Sequence, residues 1–140
     1  MKKSLVLMIL VLVLALVACG GGDSESSDSD SGSDAAGPSV SNGEELYNQV
    51  TIGPSSAPGC VTCHSLEADV VLVGPSHNGI GVRAGEYVAG VSAKDYLAES
   101  ITDPDADLVD GYAAGIMYQN YGAELDQSDV DDLVAFLLTQ

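Results

Sequence analysis

Two thiols and one imidazole lie within five consecutive residues of this chain, Cys60-Val61-Thr62-Cys63-His64. In a helical turn, positions i, i+3 and i+4 share one face, so these three side chains can address one flat object. Each thiol can add to one vinyl group of a porphyrin, and the adjacent histidine then reaches one axial face of the iron. Cys-x-x-Cys-His is accordingly the pattern of c-type haem attachment. We predict one covalent haem c, held by Cys60 and Cys63, with His64 as an iron ligand.

Two other kinds of site use the same residue types. A thioredoxin-like dithiol gives no role to His64 and expects a preceding strand, whereas Thr51 to Gly59 is rich in Gly, Pro and Ser. A zinc site needs a fourth ligand, and the other histidine of the chain is His77. Haem attachment therefore explains the five residues better than either alternative.

The third cysteine, Cys19, belongs to a different pattern. Lys2 and Lys3 precede an apolar run from Leu5 to Ala18, which has the size of a signal-peptide core and is short for a membrane-spanning helix. The following Leu-Val-Ala-Cys resembles the lipobox of bacterial lipoproteins, which implies cleavage before Cys19 and acylation of its thiol. Two or three acyl chains are enough for stable membrane residence. We expect residues 1–18 to be a signal peptide, with an uncleaved anchor helix or an ordinary secretory signal as the alternatives.

Residues 19–40 consist largely of Gly, Ser, Asp and Ala after the cysteine. A segment with so few apolar side chains cannot bury enough surface to offset the entropy of ordering it. We therefore expect a disordered acidic tether, and about twenty such residues have a root-mean-square reach of roughly 25 Å. The tether would keep the folded part near the outer face of the cytoplasmic membrane.

Residues 41–140 have the length of a single small domain. A first helix is predicted from a Ser41 or Asn42 cap to Val50. A second is predicted to start from Ser92 and to end before Pro104. No segment alternates convincingly as a strand.

The last predicted helix, Asp126 to Gln140, has the clearest helical pattern of apolar residues. Ser128 and Asp131 approximate its capping box. The short apolar run Val70 to Val73 is expected to lie extended against the haem. We expect an all-α fold, with three to four helices wrapped around one covalent haem whose apolar mass supplements a thin core.

The order of these pieces resembles a class I cytochrome c, and the resemblance covers Ser41 to Gln140. Besides the haem-binding residues, it rests on these positions: Gly43, Tyr47, Gly74, Pro75, Arg83, Tyr96, Leu97, Ser100, Ile101, Pro104, Gly115, Ile116, Met117 and Asp132 to Leu137. It implies that the first and last helices cross, with Gly43 and Tyr47 against Leu133 and Phe136. It also implies a mono-haem electron carrier.

The resemblance implies that Met117 is the second axial ligand of the iron. Met1 and Met8 lie in the leader, so Met117 is the one methionine of the mature chain. A thioether favours ferrous iron and raises the reduction potential. Relatives commonly carry proline after this methionine, and this chain has Tyr118 there. His77 is the competing ligand, but its position after Pro75 places it near the haem rim on the side of His64.

Two further roles follow from the resemblance. The carbonyl of Pro75 would accept the Nδ1 proton of His64, which orients the imidazole. Arg83 would pair with a haem propionate, the alternative being a solvated surface arginine. Three tyrosines are candidates for hydroxyl contacts to the propionates: Tyr87, Tyr112 and Tyr121.

The chain is strongly acidic, with 4 basic and 21 acidic residues and a formal net charge of −17. Removal of the leader leaves Arg83 and Lys94 as its cations. The sign excludes nucleic acid as a partner, and there is no lysine ring of the kind that mitochondrial-type cytochromes c use. The acidity predicts either a partner with a basic patch or solubility in a saline habitat.

The sequence shows no acid pair, nucleophile or open metal position, so we expect an electron-transfer protein and not an enzyme. The resemblance implies a monomeric, membrane-anchored carrier on the extracytoplasmic side. It would take electrons from a quinol-oxidising complex to a haem-copper oxidase or another acceptor. Two alternatives are an electron-accepting subunit of a dehydrogenase complex, and a sensor or peroxidase in which the Met117 bond opens.

Overall fold

The computed structural model describes residues 37–140 of the chain. The signal peptide, Cys19 and nearly all of the tether lie outside the described residues. The described elements, in chain order, are α1 (Val40–Tyr47), β1 (Thr51–Ile52), β2 (Ala57–Pro58), a 3-10 turn (Cys60–Thr62), α2 (Ile80–Tyr87), α3 (Ala93–Thr102), α4 (Tyr121–Glu124) and α5 (Gln127–Leu137). The predicted all-α class is confirmed. None of these helices is long and apolar enough to cross a membrane.

Helix α1 begins earlier than the sequence predicted. Its N-cap is Ser39, whose hydroxyl accepts a hydrogen bond from the Asn42 backbone N–H at 3.3 Å. The backbone N–H of Ser39 is held by the Asp132 carboxylate, which fixes the extended conformation that an N-cap needs. The prediction of a cap at Ser41 or Asn42 is therefore wrong, because both residues lie inside the helix.

The start of α5 differs from the prediction in the same way. Asp126 is its N-cap and Asp129 completes the capping box, with the Asp129 N–H donating to the Asp126 carboxylate at 3.0 Å and the Asp126 N–H donating to the Asp129 carboxylate at 3.2 Å. The hydroxyl of Ser128 also donates to Asp126, at 2.6 Å. The predicted box of Ser128 and Asp131 is wrong because a carboxylate is the stronger acceptor for the free N–H groups of the first turn.

Helices α1 and α5 cross at Gly43, as the sequence predicted. A Cβ on Gly43 would overlap the Asp132 carbonyl oxygen and would lie 2.9 Å from Phe136 Cβ. The rings of Tyr47 and Phe136 pack with their centroids 5.3 Å apart. The crossing holds the two ends of the described chain together.

Helix α3 starts from Ser92, whose hydroxyl accepts from the Asp95 N–H at 3.1 Å, and it stops before Pro104 as predicted. Two short helices, α2 and α4, were not predicted. In α2 only Ile80 and Ala84 are buried, which is too few residues for an apolar repeat to be read.

The segment 50–73 departs from the prediction at two places. The two-residue strands β1 and β2 pair antiparallel, with Ile52 opposite Ala57, where no strand was expected. Val71 and Leu72 are 60% and 51% exposed, so the prediction that the whole run packs against the haem is wrong. Val73 alone among 71–73 lines the cavity described below.

The buried core lies between α1, α3 and α5. Its buried members are mostly aromatic and branched aliphatic side chains, and they include Tyr47, Ile52, Ile80, Tyr96, Leu97, Ile101, Tyr121, Val130, Leu133, Val134, Phe136 and Leu137. Several of them also face the cavity that holds the candidate site.

Candidate functional site

The turn at Cys60 brings the two thiols and the imidazole together. The backbone N–H groups of Cys63 and His64 both donate to the Cys60 carbonyl, at 3.1 and 2.9 Å. This is the helical turn that the residue spacing required. All three side chains lie on the wall of one cavity.

Gly59 allows this turn to sit against the chain that leaves α1. Its N–H donates to the Val50 carbonyl at 2.8 Å, and its own carbonyl accepts from the Thr62 hydroxyl at 2.6 Å. A Cβ at this position would overlap the Gln49 carbonyl oxygen. The residue before the first cysteine is therefore glycine for steric reasons.

The imidazole of His64 is buried and fixed at one nitrogen. Its Nδ1 lies 2.8 Å from the Pro75 carbonyl oxygen, and since a carbonyl can only accept, Nδ1 carries the proton. Burial lowers the pKa of His64 in spite of this hydrogen bond, so the ring is neutral and its Nε2 lone pair is available to a metal. A Cβ on Gly74 would lie 2.8 Å from Nδ1, which explains the small residue there.

The thiols do not have the properties of a redox dithiol. Burial, with a smaller contribution from Cys63, raises the pKa of Cys60 to about 11. Thioredoxin-like chemistry needs a lowered thiol pKa, because the thiolate is the nucleophile. Among residues 37–140 there is also no group of three or more His, Cys, Asp or Glu side chains that could hold a metal ion. Neither the dithiol nor the zinc alternative is supported.

The cavity has an empty volume of about 1220 Å³, including the part that is open to solvent. Cys60, Cys63 and His64 lie on its wall, and so does the predicted ligand Met117. Most of the remaining wall is apolar, with contributions from Ile80, Leu97, Ile101, Leu133 and Leu137. An apolar space of this size, with two thiols, a neutral imidazole and a thioether on its wall, fits a covalently attached porphyrin.

Tyr118, which stands where relatives commonly carry proline, is tied to the rest of the fold. Its hydroxyl donates to the Glu124 carboxylate at 3.1 Å, and that carboxylate accepts the Ser55 backbone N–H at 3.0 Å. Tyr118 also packs edge-on against Tyr121, with ring centroids 5.0 Å apart. These contacts link the Met117 loop to α4 and to the β1–β2 turn.

His77 lies beside His64 and not across the cavity from it. The two rings stack with centroids 4.0 Å apart and planes at 14°. Burial, together with His64 and Arg83, lowers the pKa of His77 to about 3, so this ring is neutral at pH 7. Its Nδ1 is buried and has no hydrogen-bond partner in the described part of the chain. The position of His77 after Pro75 predicted this side of the haem, but no feature of the sequence predicted the stack.

Arg83 braces the loop that precedes α2. Its guanidinium donates to the carbonyls of Ser76, at 2.8 Å, and Asn78, and its Nε lies 3.4 Å from the Tyr87 hydroxyl. Arg83 is not among the residues that line the cavity, whereas Tyr87, Tyr112 and Tyr121 are. The predicted contact between Arg83 and a propionate stays a prediction.

The tyrosines differ in how their hydroxyls are used. The hydroxyl of Tyr121 donates to the Pro58 carbonyl, and that of Tyr87 meets Arg83. The Tyr112 hydroxyl has no hydrogen bond within residues 37–140, which makes it the most available of the three.

Comparison with known proteins gives a match to a protein family. A family model described as "Cytochrome c" matches residues 40–140, a range that contains every helix and site residue named above except Cys19. Neither the curated proteins nor the solved structures contain a match.

Proposed function

The chain belongs to the cytochrome c family, and from this premise we propose that it shuttles single electrons at the outer face of the cytoplasmic membrane. The family is one of electron-transfer haem proteins, and its domain carries covalent haem c. The observation that supports the proposal in this chain is the joint presence of Cys60, Cys63, His64 and Met117 on the wall of one apolar cavity.

Each residue of the site has a separate role in such a carrier. Cys60 and Cys63 would hold the haem through their sulfur atoms, and His64 and Met117 would bind its iron. When bound, the haem supplies a one-electron ferric/ferrous couple. The Pro75 carbonyl holds the proton on Nδ1 of His64 and so keeps Nε2 directed at the metal. The apolar wall excludes water and favours the less charged, reduced state, and the thioether acts in the same direction.

The proposed donor and acceptor are classes of protein that suit the same ligand set. His/Met coordination suits a carrier between a quinol-oxidising complex and a terminal haem-copper oxidase or similar acceptor. If His64 and Met117 both bind the iron, a substrate would find no vacant position on it, which argues against an enzyme. A lipid on Cys19, supported by the Leu-Val-Ala-Cys pattern, would anchor the protein and the tether would hold the domain near its partners.

The proposal is tested on full-length protein matured with a working haem-attachment system. We expect one haem per chain by mass, and the weak long-wavelength charge-transfer band of thioether-ligated ferric haem. Met117→Ala should lose that band and bind carbon monoxide in the ferrous form at neutral pH, whereas Val82→Ala, at an exposed residue of α2 that does not line the cavity, should do neither. A colourless protein, or a band that survives Met117→Ala, would contradict the proposal.

The anchor has its own measurement. Mass spectrometry of the mature N-terminus should find a lipid-modified Cys19, and Cys19→Ser should release the protein from the membrane fraction. An unmodified Cys19 would remove the lipid from the proposal and leave the electron-carrier function untouched.

A further inference from the structure

The loop that carries Met117 is fastened to the end of α3 by one carboxylate, that of Asp105. The Gly115 backbone N–H donates to both of its oxygens, at 2.9 and 3.1 Å. The Gln119 side-chain amide donates to the same carboxylate at 3.2 Å. Asp105 therefore contacts both ends of the loop 115–119.

Gln119 extends this arrangement to the methionine itself. Its Nε2 donates to the Met117 carbonyl at 2.8 Å while it also contacts Asp105. One amide group thus joins the anchoring carboxylate to the backbone of the predicted ligand. Within the described residues, Met117 makes no other hydrogen bond.

The backbone next to Asp105 is held in place by its neighbours in the chain. Its neighbour Pro104 is buried, and Asp103 closes α3 by donating its N–H to the Glu99 carbonyl at 2.7 Å. Proline fixes its own backbone angle, so the direction in which the chain leaves α3 is restricted. The carboxylate is therefore held by a part of the fold that packs against the core.

The loop needs such an anchor. Gly115 has φ +76°, a left-handed conformation that a flexible glycine adopts at an entropic cost. Ile116 is 58% exposed and lines the cavity. Tyr118 ties the far side of the loop to Glu124 and Tyr121, but it does not hold Gly115 or the Met117 backbone. Hydrogen bonds to a carboxylate are stronger than those between neutral groups, so Asp105 can restrain that part of the loop.

We propose that Asp105 is a positioning residue for the axial ligand: its carboxylate, acting through Gly115 and Gln119, holds the loop in the conformation that presents Met117 to the haem iron. The proposal rests on the proposed function, since Met117 is an iron ligand only there. Asp105 also lines the cavity, but in this role it acts through the loop and not on the haem itself.

The proposal has a measurable consequence in the competition for the sixth position on the iron. An added ligand such as imidazole binds the ferric iron only when the methionine has left it. Its apparent affinity therefore reports how often the loop opens. Losing hydrogen bonds to a charged group from the closed state should raise that affinity by about tenfold to a hundredfold.

The test compares imidazole affinity, at neutral pH, in haem-loaded full-length wild type, Asp105→Ala and Asp103→Ala. Asp103 is exposed, lies in the same segment and makes no side-chain hydrogen bond in the described part, so its variant controls for the loss of one negative charge. We expect Asp105→Ala to raise the affinity by about tenfold or more and to weaken the thioether charge-transfer band, with Asp103→Ala close to wild type.

If Asp105→Ala does not mature with haem, the imidazole affinity of Gln119→Ala provides a second test. Gln119 is exposed, and its loss leaves the Gly115 contacts intact. A smaller rise in affinity, about threefold to tenfold, is expected. If the wild type shows the band but its imidazole affinity equals that of all the variants, this proposal alone is overturned. An equal rise in the affinity of the Asp103→Ala control would overturn it as well. A wild type without the band would overturn the Met117 assignment and this proposal with it.

Discussion

A single side chain, His77, carries an unpartnered polar atom in this site. Its neutral imidazole stacks on the proposed iron ligand His64 and keeps its Nδ1 buried, without a hydrogen-bond partner among residues 37–140. A buried polar atom with no hydrogen bond costs stability.

His77→Leu should therefore raise the free energy of unfolding of the haem-loaded protein by about 1 kcal/mol, because an apolar group of similar volume replaces an unpartnered polar atom. Urea unfolding followed by circular dichroism measures the change. His77→Ala is the matched control and should lower the stability, since it leaves a cavity. A destabilised leucine variant would mean that the imidazole makes a favourable interaction that the stack does not explain.

The sequence predicted the candidate site residues where these lie close together in the chain. Cys60, Cys63 and His64 lie in one turn, so their spacing alone indicated a shared site. The pairing of Asp105 with Gly115 and the stack of His77 on His64 join residues in loops that have no periodic pattern. Contacts of this kind depend on how the loops pack, which the residue order does not reveal.

At the scale of elements, the crossing of α1 and α5 depends on the absence of a side chain at Gly43. A Cβ there meets the backbone of α5, which cannot move aside as a flexible side chain could. Gly85 in α2 offers a comparison, because a Cβ there would lie 3.6 Å from the nearest atom, an ordinary contact.

Gly43→Ala should lower the free energy of unfolding by about 3 kcal/mol, since overpacking at a backbone contact outweighs the better helix propensity of alanine. Gly85→Ala should leave it unchanged or raise it by about 0.5 kcal/mol. Chemical denaturation of both variants gives the comparison. Equal stability of the two would show that the helices separate at little cost.

The link between Tyr118, Glu124 and the β1–β2 turn predicts a dependence on pH. The Ser55 backbone N–H, and to a lesser extent the Ser55 and Tyr118 side chains, hold the pKa of Glu124 below its ordinary value of 4.5. Because the folded-state pKa is the lower one, the carboxylate stabilises the fold fully above about pH 4.5, and this contribution is lost as the pH falls through the folded-state value.

Glu124→Gln should therefore flatten the loss of stability of the haem-loaded protein below pH 4.5. Thermal unfolding between pH 3 and 7, read against wild type, measures this. Glu86→Gln, on an exposed residue of α2 with no side-chain hydrogen bond among residues 37–140, should keep the wild-type profile. Parallel profiles for wild type and Glu124→Gln would rule the contribution out.

The helices themselves were predictable where the apolar repeat is long enough. α3 and α5 each bury several residues at helical spacing, and α3 began and ended where the sequence indicated. The caps of α1 and α5 were misplaced because several serine, asparagine and aspartate residues adjoin each start. The choice among them was made by tertiary contacts such as that between Ser39 and Asp132.

For the whole molecule, the charge is the dominant property. Arg83 and Lys94 are the cations outside the leader, against 21 acidic residues in the chain. Arg83 is engaged with loop carbonyls, so its positive charge is not directed outward. A domain of this kind attracts a partner with a basic surface and repels an acidic one.

Electron transfer to the physiological partner should therefore slow steeply as ionic strength rises from about 0.01 M to 0.15 M, over which the Debye length falls from about 30 to 8 Å. Stopped-flow kinetics at several salt concentrations measure the dependence, with a small neutral reductant as the control. A flat profile would indicate that the acidic residues serve solubility and not recognition.

The sequence separations of the key hydrogen bonds also bear on how the protein is assembled. His64 reaches Pro75 across 11 residues and Gly115 reaches Asp105 across 10, whereas Ser39 and Asp132 are 93 residues apart. Short closures cost less chain entropy than long ones, so we expect both iron-facing segments to form before the chain ends meet. Haem would then be attached to an open polypeptide whose thiols are still accessible, before the two terminal helices dock against each other.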